Sequence, residues 1–144
     1  MSLHVANAQR DEDDKPRSGP RRYVPFSEHL CLQLERAEDG ESLVWVDLRP
    51  ELLNNHASAH GGVLMTLLDS AMAHAALSRV GYAREVVTLD MHTAFVRPSG
   101  GRLQAAGRAT GGGRSVCFCE ARVMDAGGVV VARAMGTFRY CDPA

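Results

Sequence analysis

The stretch Val63–Val80 constrains this chain more than any other. Valine, leucine, methionine and alanine dominate it, and neither glycine nor proline interrupts it. At 1.5 Å per residue, a helix over this stretch is about 27 Å long. Its apolar residues go almost all the way round, which predicts a buried rather than half-exposed helix. Gly81 stops it. Such a helix needs a large apolar surface to cover it, and the rest of the chain reads mostly as strands.

Upstream, Phe26–Leu30 follows Pro25 and could make one short helical turn. Residues Cys31–Arg36 alternate loosely, and the Asp39–Gly40 pair is a strong hairpin signal. Leu43, Trp45 and Asp47 then alternate with Val44, Val46 and Leu48 as a second strand, which Pro50 ends. Downstream, Glu85–Val96, Arg102–Thr110, Ser115–Asp125 and Val129–Tyr140 show period-two character. The breaks between them hold Pro98–Gly101, Gly111–Gly113 and Ala126–Gly128. Four consecutive strands with short connections favour an antiparallel sheet. One apolar helix for a sheet of this size implies a sheet wrapped around the helix, an α+β fold.

The chain has 144 residues, enough for one domain that buries roughly 68–70% of its unfolded surface without disulfides or a structural metal. Residues 1–22 are polar and hold the acidic run Asp11–Asp14, Pro16, Gly19, Pro20 and Arg21–Arg22. We expect a mobile N-terminal tail there and a single domain over 23–142. The net charge of −1 argues against nucleic-acid binding, which demands a basic excess. No apolar run reaches the ~18–20 residues of a membrane span, and Met1–Arg10 lacks the apolar core of a secretory signal. Cys31, Cys117, Cys119 and Cys141 form no C-x-x-C pair. These features predict a soluble, reduced, cytoplasmic protein with no membrane partner.

Asp69 is the most informative single residue. Its helical neighbours are Met65, Thr66, Met72 and Ala73, and it lies too deep in the helix to be an N-cap. An unpaired carboxylate in apolar surroundings costs several kcal/mol or takes up a proton. Asp69 therefore either reaches solvent or a loop partner, or serves as a base or nucleophile in a pocket. At the start of the helix stand His60, Gly61 and Gly62. Free N–H groups at a helix N-terminus can stabilise a developing oxyanion, although a simple glycine-rich turn would look the same. His60 and Asp69 are nine residues apart, so one helix separates them by about 13 Å and half a turn. A joint role on one bond requires two chains with antiparallel helices across a two-fold axis.

Other constellations are weaker. His56 and His60 have the spacing of a metal pair, but Ala57 stands where the zinc-protease pattern needs Glu, and no metal is expected. There is no G-x-S-x-G elbow, no phosphate loop and no G-x-G-x-x-G. Cys117 and Cys119 share one face of a strand, where buried packing is the default.

The run Asn54-Asn55-His56-Ala57-Ser58-Ala59-His60-Gly61-Gly62, followed by Asp69, resembles the signature of hotdog-fold acyl-CoA thioesterases of the phenylacetate-degradation type. The likeness continues through Val87–Met91, Phe95–Pro98, Gly111–Arg114 and Ala132–Phe138. It implies a sheet wrapped around a central helix, with chains paired into a homodimer or homotetramer. Carried over to this chain, it makes Asp69 the general base or nucleophile and Thr88 the hydroxyl that helps orient the attacking water. Asn54 would hold that water or polarise the thioester. The Gly61 N–H would stabilise the oxyanion, with His60 supporting the turn or the carbonyl. Arg97, Gly113, Arg114 and Ser115 match positions that hold coenzyme A. No cofactor is implied beyond the coenzyme A of the substrate.

This sequence departs from the pattern twice. Ala57 stands where a glycine is usual, so the turn's path could differ. Thr88 also falls opposite the apolar face of Val87, Leu89, Met91 and Phe95 if the strand is regular; a bulge or a strand buried on both sides would restore its role. Hydrolysis of an acyl-CoA thioester leads. A hydroxyacyl-thioester dehydratase, pairing His60 with a carboxylate, and a non-catalytic acyl-CoA-binding module are the alternatives.

Overall fold

The computed structural model describes residues 23–143, and the N-terminal tail lies outside the described residues. The elements run α1 (Pro25–His29), β1 (Gln33–Glu38), β2 (Glu41–Asp47), a 3-10 turn (Pro50–Leu52), α2 (Gly61–Arg79), β3 (Glu85–Phe95), β4 (Arg102–Gly112), β5 (Val116–Met124) and β6 (Val130–Cys141). The first strand starts at Gln33 rather than Cys31, because Cys31 takes a positive φ of 60° that a strand does not accommodate. Asp39 and Gly40 both have positive φ, 49° and 79°, as a two-residue hairpin loop between Glu38 and Glu41 requires.

All six strands join one antiparallel sheet in the order β1-β2-β4-β5-β6-β3. The three downstream breaks therefore differ. Gly111–Gly113 and Ala126–Gly128 turn into neighbouring strands, whereas Pro98–Gly101 carries the chain from β3 at one edge of the sheet across to β4, beside β2. Every strand contacts α2. Leu67, Leu68, Ala71, Met72 and Ala76 of the helix are fully buried in one core with Val44, Val46, Leu103, Val123 and Phe138. Each large side chain so buried contributes about 1.5–3 kcal/mol. This is the hotdog arrangement, α+β with the sheet wrapped around one central helix.

Helix and sheet approach closely at Gly107. A Cβ there would sit 2.3 Å from the Ala71 carbonyl oxygen, so only glycine lets β4 approach the helix backbone. Ser42 Oγ donates to the same carbonyl at 2.5 Å.

The expectation of a buried rather than half-exposed helix needs correction. The helix begins at Gly61, and the stripe Gly62, Met65, Thr66, Asp69, Ser70, Ala73 and His74 stays at least partly accessible. The cause is that the six strands cover only part of the helix circumference. β3 bounds the uncovered side, and it is an edge strand with exposed Val87, Leu89, Phe95 and Val96.

Candidate active site

The pairing of β3 with β6 decides where Thr88 points. Thr88 pairs with Phe138 and Asp90 with Thr137, so Leu89 is an extra residue, a β-bulge. Directly opposed residues share a face, and Tyr140, Phe138, Gly136, Ala134 and Ala132 all face the helix. Their partners Val86, Thr88, Met91, Thr93 and Phe95 therefore do too. Simple alternation would send Thr88 away from Met91 and Phe95, and the bulge reverses the phase between them. Thr88 Oγ1 donates to Asp69 Oδ1 at 2.7 Å. Asp69 is thus held by a strand hydroxyl on the accessible stripe of an otherwise buried helix.

The second group assembles at the other end of β3. His60 is the N-cap of α2, and its Nδ1 accepts from the Gly62 N–H at 2.8 Å. Accepting through Nδ1 puts the proton of the neutral ring on Nε2. Among the described residues the Gly61 N–H has no acceptor, as expected at a helix start. The Phe95 ring lies beside Gly61, 3.4 Å from where a Cβ would be. Phe95 ends the strand that carries Thr88, and the two groups stand about 12 Å apart along α2.

Asn54 is more structural than its expected role suggests. Its Oδ1 accepts from the backbone N–H groups of His56 at 2.9 Å and Ser58 at 3.2 Å. That Asx-type turn uses the carbonyl oxygen and leaves the amide hydrogens. Ala57 adopts φ 56°, the left-handed conformation usual for glycine, so the turn accepts the strain of a Cβ.

The expected coenzyme A residues do not meet within one chain. Gly113 and Arg114 line a cleft of about 390 Å³ with Val80, Arg84 and Asp142. Arg84 Nη1 donates to the Arg114 carbonyl at 2.6 Å, and the Ser115 carbonyl accepts from Tyr140 N–H at 2.9 Å. Arg97 lies just past the opposite end of β3, where its N–H donates to the Val131 carbonyl. One further feature escaped sequence reasoning. Ser58 binds the backbone of Ser99, and neither serine has a sequence signal separating it from an ordinary loop residue.

The buried thiols are not poised for chemistry. Cys117 and Cys119 Sγ atoms are 3.7 Å apart, and burial pushes the Cys119 thiol well above its usual range. Among the described residues, no three His, Cys, Asp or Glu side chains group to hold a metal, and no helix is long and apolar enough to cross a membrane.

Known proteins share this architecture. The Thioesterase superfamily profile matches residues 56–132. A proposed esterase of Halobacterium salinarum is 31% identical over 121 residues, 76% of this chain and 80% of that protein. A conserved protein of Pseudomonas aeruginosa superposes with a TM-score of 0.79 at 30% identity, over 83% of this chain and 95% of that one. A mutant of the phenylacetic acid degradation protein of Thermus thermophilus gives 0.74 at 31% identity, over 82% and 100%. The comparisons support a hydrolase in the broad sense, and the chain belongs to the thioesterase superfamily.

Proposed function

We propose that this protein hydrolyses an acyl-CoA thioester to the free acid and coenzyme A, at a site shared by two copies of the chain. The observation that carries this reading is the Thr88–Asp69 hydrogen bond, made beside an exposed strand edge. With Oδ1 of Asp69 engaged by Thr88, Oδ2 is the atom that acts. It takes the proton of an attacking water, or attacks the carbonyl and expels the coenzyme A thiolate to give a short-lived anhydride that water then hydrolyses. The Gly61 N–H supplies the oxyanion donor, His60 keeps the helix start in place, and the Asn54 amide hydrogens hold the water or the carbonyl.

Twelve ångströms separate the two groups in one chain, roughly, and a two-fold axis removes that gap. Antiparallel pairing of β3 with its copy reverses the strand's ends, so Phe95 and Gly61 of the partner subunit come level with Thr88 and Asp69. The same reversal carries Arg97 of the partner subunit toward Arg114, assembling a cationic rim for the phosphates of coenzyme A with Gly113 and Ser115. Val87, Leu89 and Val96 on the exposed edge supply apolar area for such a homodimer, which could pair again into a homotetramer. Coenzyme A enters only as part of the substrate, in the cytoplasm, and no resident cofactor takes part.

The test is thiol release from a panel of acyl-CoAs, corrected for the protein's own cysteines. Aryl-acyl thioesters come first, given the likeness to a phenylacetic acid degradation protein. Wild type should release thiol, and Asp69→Asn should be slower by at least about a hundredfold, the scale of a lost general base. Full turnover by Asp69→Asn would sink the mechanism. Dehydration of a hydroxyacyl-CoA without thiol release, or tight binding with no product, would replace it with one of the other two readings.

A further inference from the structure

The segment between Leu52 and Gly62 is tied down by an unusual density of hydrogen bonds. Asn54 N–H donates to the Ser58 carbonyl at 2.7 Å, Ser58 N–H to Asn54 Oδ1 at 3.2 Å, and His60 N–H to the Leu52 carbonyl at 2.9 Å. These bonds close the turn on itself. Its position relative to the sheet is a separate matter, and Ser58 supplies it. Ser58 is buried, and its Oγ accepts from the Ser99 N–H at 2.9 Å while donating to the Ser99 carbonyl at 3.2 Å. The Ala59 N–H donates to that same carbonyl at 3.0 Å. One hydroxyl thus closes a two-way clamp onto the backbone of the segment leaving β3. Among the described residues the buried Ser99 Oγ has no hydrogen-bond partner, so the Ser99 side chain adds nothing to the clamp.

The clamp joins two elements on which the proposed chemistry depends. On one side stand Asn54 and the His60-Gly61-Gly62 turn. On the other stands the Val96–Gly101 segment, continuous with β3 and holding Arg97. In the shared site, the oxyanion donor must reach a carbonyl held by the other chain's Asp69. Its placement relative to β3 therefore matters more than its placement relative to its own Asp69.

Resting on the proposed function, we infer that Ser58 is a positioning residue that fixes the Gly61 N–H relative to β3 through its clamp on the Ser99 backbone. Ser58 itself touches neither substrate nor reacting atoms. Loosening the clamp lets the turn drift as a unit, weakening oxyanion stabilisation with little effect on the binding of coenzyme A.

Ser58→Ala, with Ser99→Ala as its matched control, tests this. In Ser58→Ala, kcat should fall about tenfold, the scale of one or two lost net hydrogen bonds, with KM within threefold of wild type. Amide hydrogen exchange at Ala59, whose N–H bonds the Ser99 carbonyl across the clamp, followed by NMR on the full chain, should speed up by a similar factor. Ser99→Ala should match wild type in both. If Ser58→Ala does not fold, Ser58→Cys keeps nearly the same volume with weaker hydrogen bonds and should show the same pattern at reduced size. Wild-type kcat and exchange in the folded Ser58 variant, or equal losses in Ser99→Ala, would overturn the inference. An inactive wild type would defeat the proposed function instead, and the exchange measurement would still decide whether Ser58 holds the turn.

Discussion

Gly107→Ala should damage stability and activity together, and the structure sets the scale. The added Cβ would stand 2.3 Å from the Ala71 oxygen, 2.5 Å from its carbonyl carbon and 2.7 Å from Ser42 Oγ. Two of those atoms are helix backbone, so no side-chain rotation relieves the overlap. Restoring an ordinary 3.4 Å contact requires α2 and β4 to part by about 1.1 Å. Overpacking of this kind costs about 1–3 kcal/mol, and losing the Ser42–Ala71 hydrogen bond adds about 1 kcal/mol. A loss of about 2–4 kcal/mol lowers the midpoint of thermal unfolding by roughly 10 °C in a domain this size. Asp69 lies two residues before Ala71, so the same shift should stretch its 2.7 Å bond to Thr88 and slow the proposed thioester hydrolysis at temperatures where the variant is folded. Urea unfolding gives the energy, and Ser42→Ala measured beside it isolates the hydrogen-bond part. A Gly107→Ala protein within about 0.5 kcal/mol of wild type, with full turnover, would refute the argument that this close approach sets the spacing of helix and sheet.

Thr88→Val keeps the shape of the side chain and removes its hydroxyl; kcat should fall about tenfold with KM little changed, and Thr88→Ser should restore most of it, as steady-state kinetics would show. Ala57→Gly relieves a left-handed backbone at the cost of chain entropy, and denaturant titration should find it more stable by about 0.5–1 kcal/mol. Cys31 is exposed, whereas Cys117 and Cys119 are buried and the Cys119 thiol is pushed up by burial. Mass spectrometry after brief alkylation of the native protein should find label on Cys31 and none on Cys117 or Cys119 until the protein unfolds.

Much of the architecture was legible because local chemistry dictated it. The Asp39–Gly40 loop, the long apolar run of α2 and the turn glycines each reported a backbone requirement that adjacent residues could satisfy alone. What escaped was decided between distant segments. The break at Pro98–Gly101 resembles the other strand breaks in composition, yet its polar backbone is spent on Ser58, Ala59 and Leu48 and the chain crosses the sheet. The helix is less buried than its composition implies because an apolar circumference says how much surface wants cover, not whether one chain provides it. Asp69 stood out through its setting. The commitment of the Asn54 carbonyl to its own turn depends on the path around Ala57, which no spacing rule specifies.

Leu89 is the residue of β3 left out of the ladder with β6. It divides the strand into two counts, one from Glu85 to Thr88 and one from Asp90 to Phe95, kept in opposite phase. The first count aims a hydroxyl at the helix carboxylate, and the second aims Met91, Thr93 and Phe95 at the front half of the helix. A change of one residue in either count inverts only its own segment, so the two lengths are separate heritable quantities rather than one strand length. When related chains are aligned through this strand, a gap placed one position off alters no composition and little hydrophobicity. It nevertheless assigns the wrong residue to the carboxylate. The position of the unpaired residue is therefore what an alignment has to preserve.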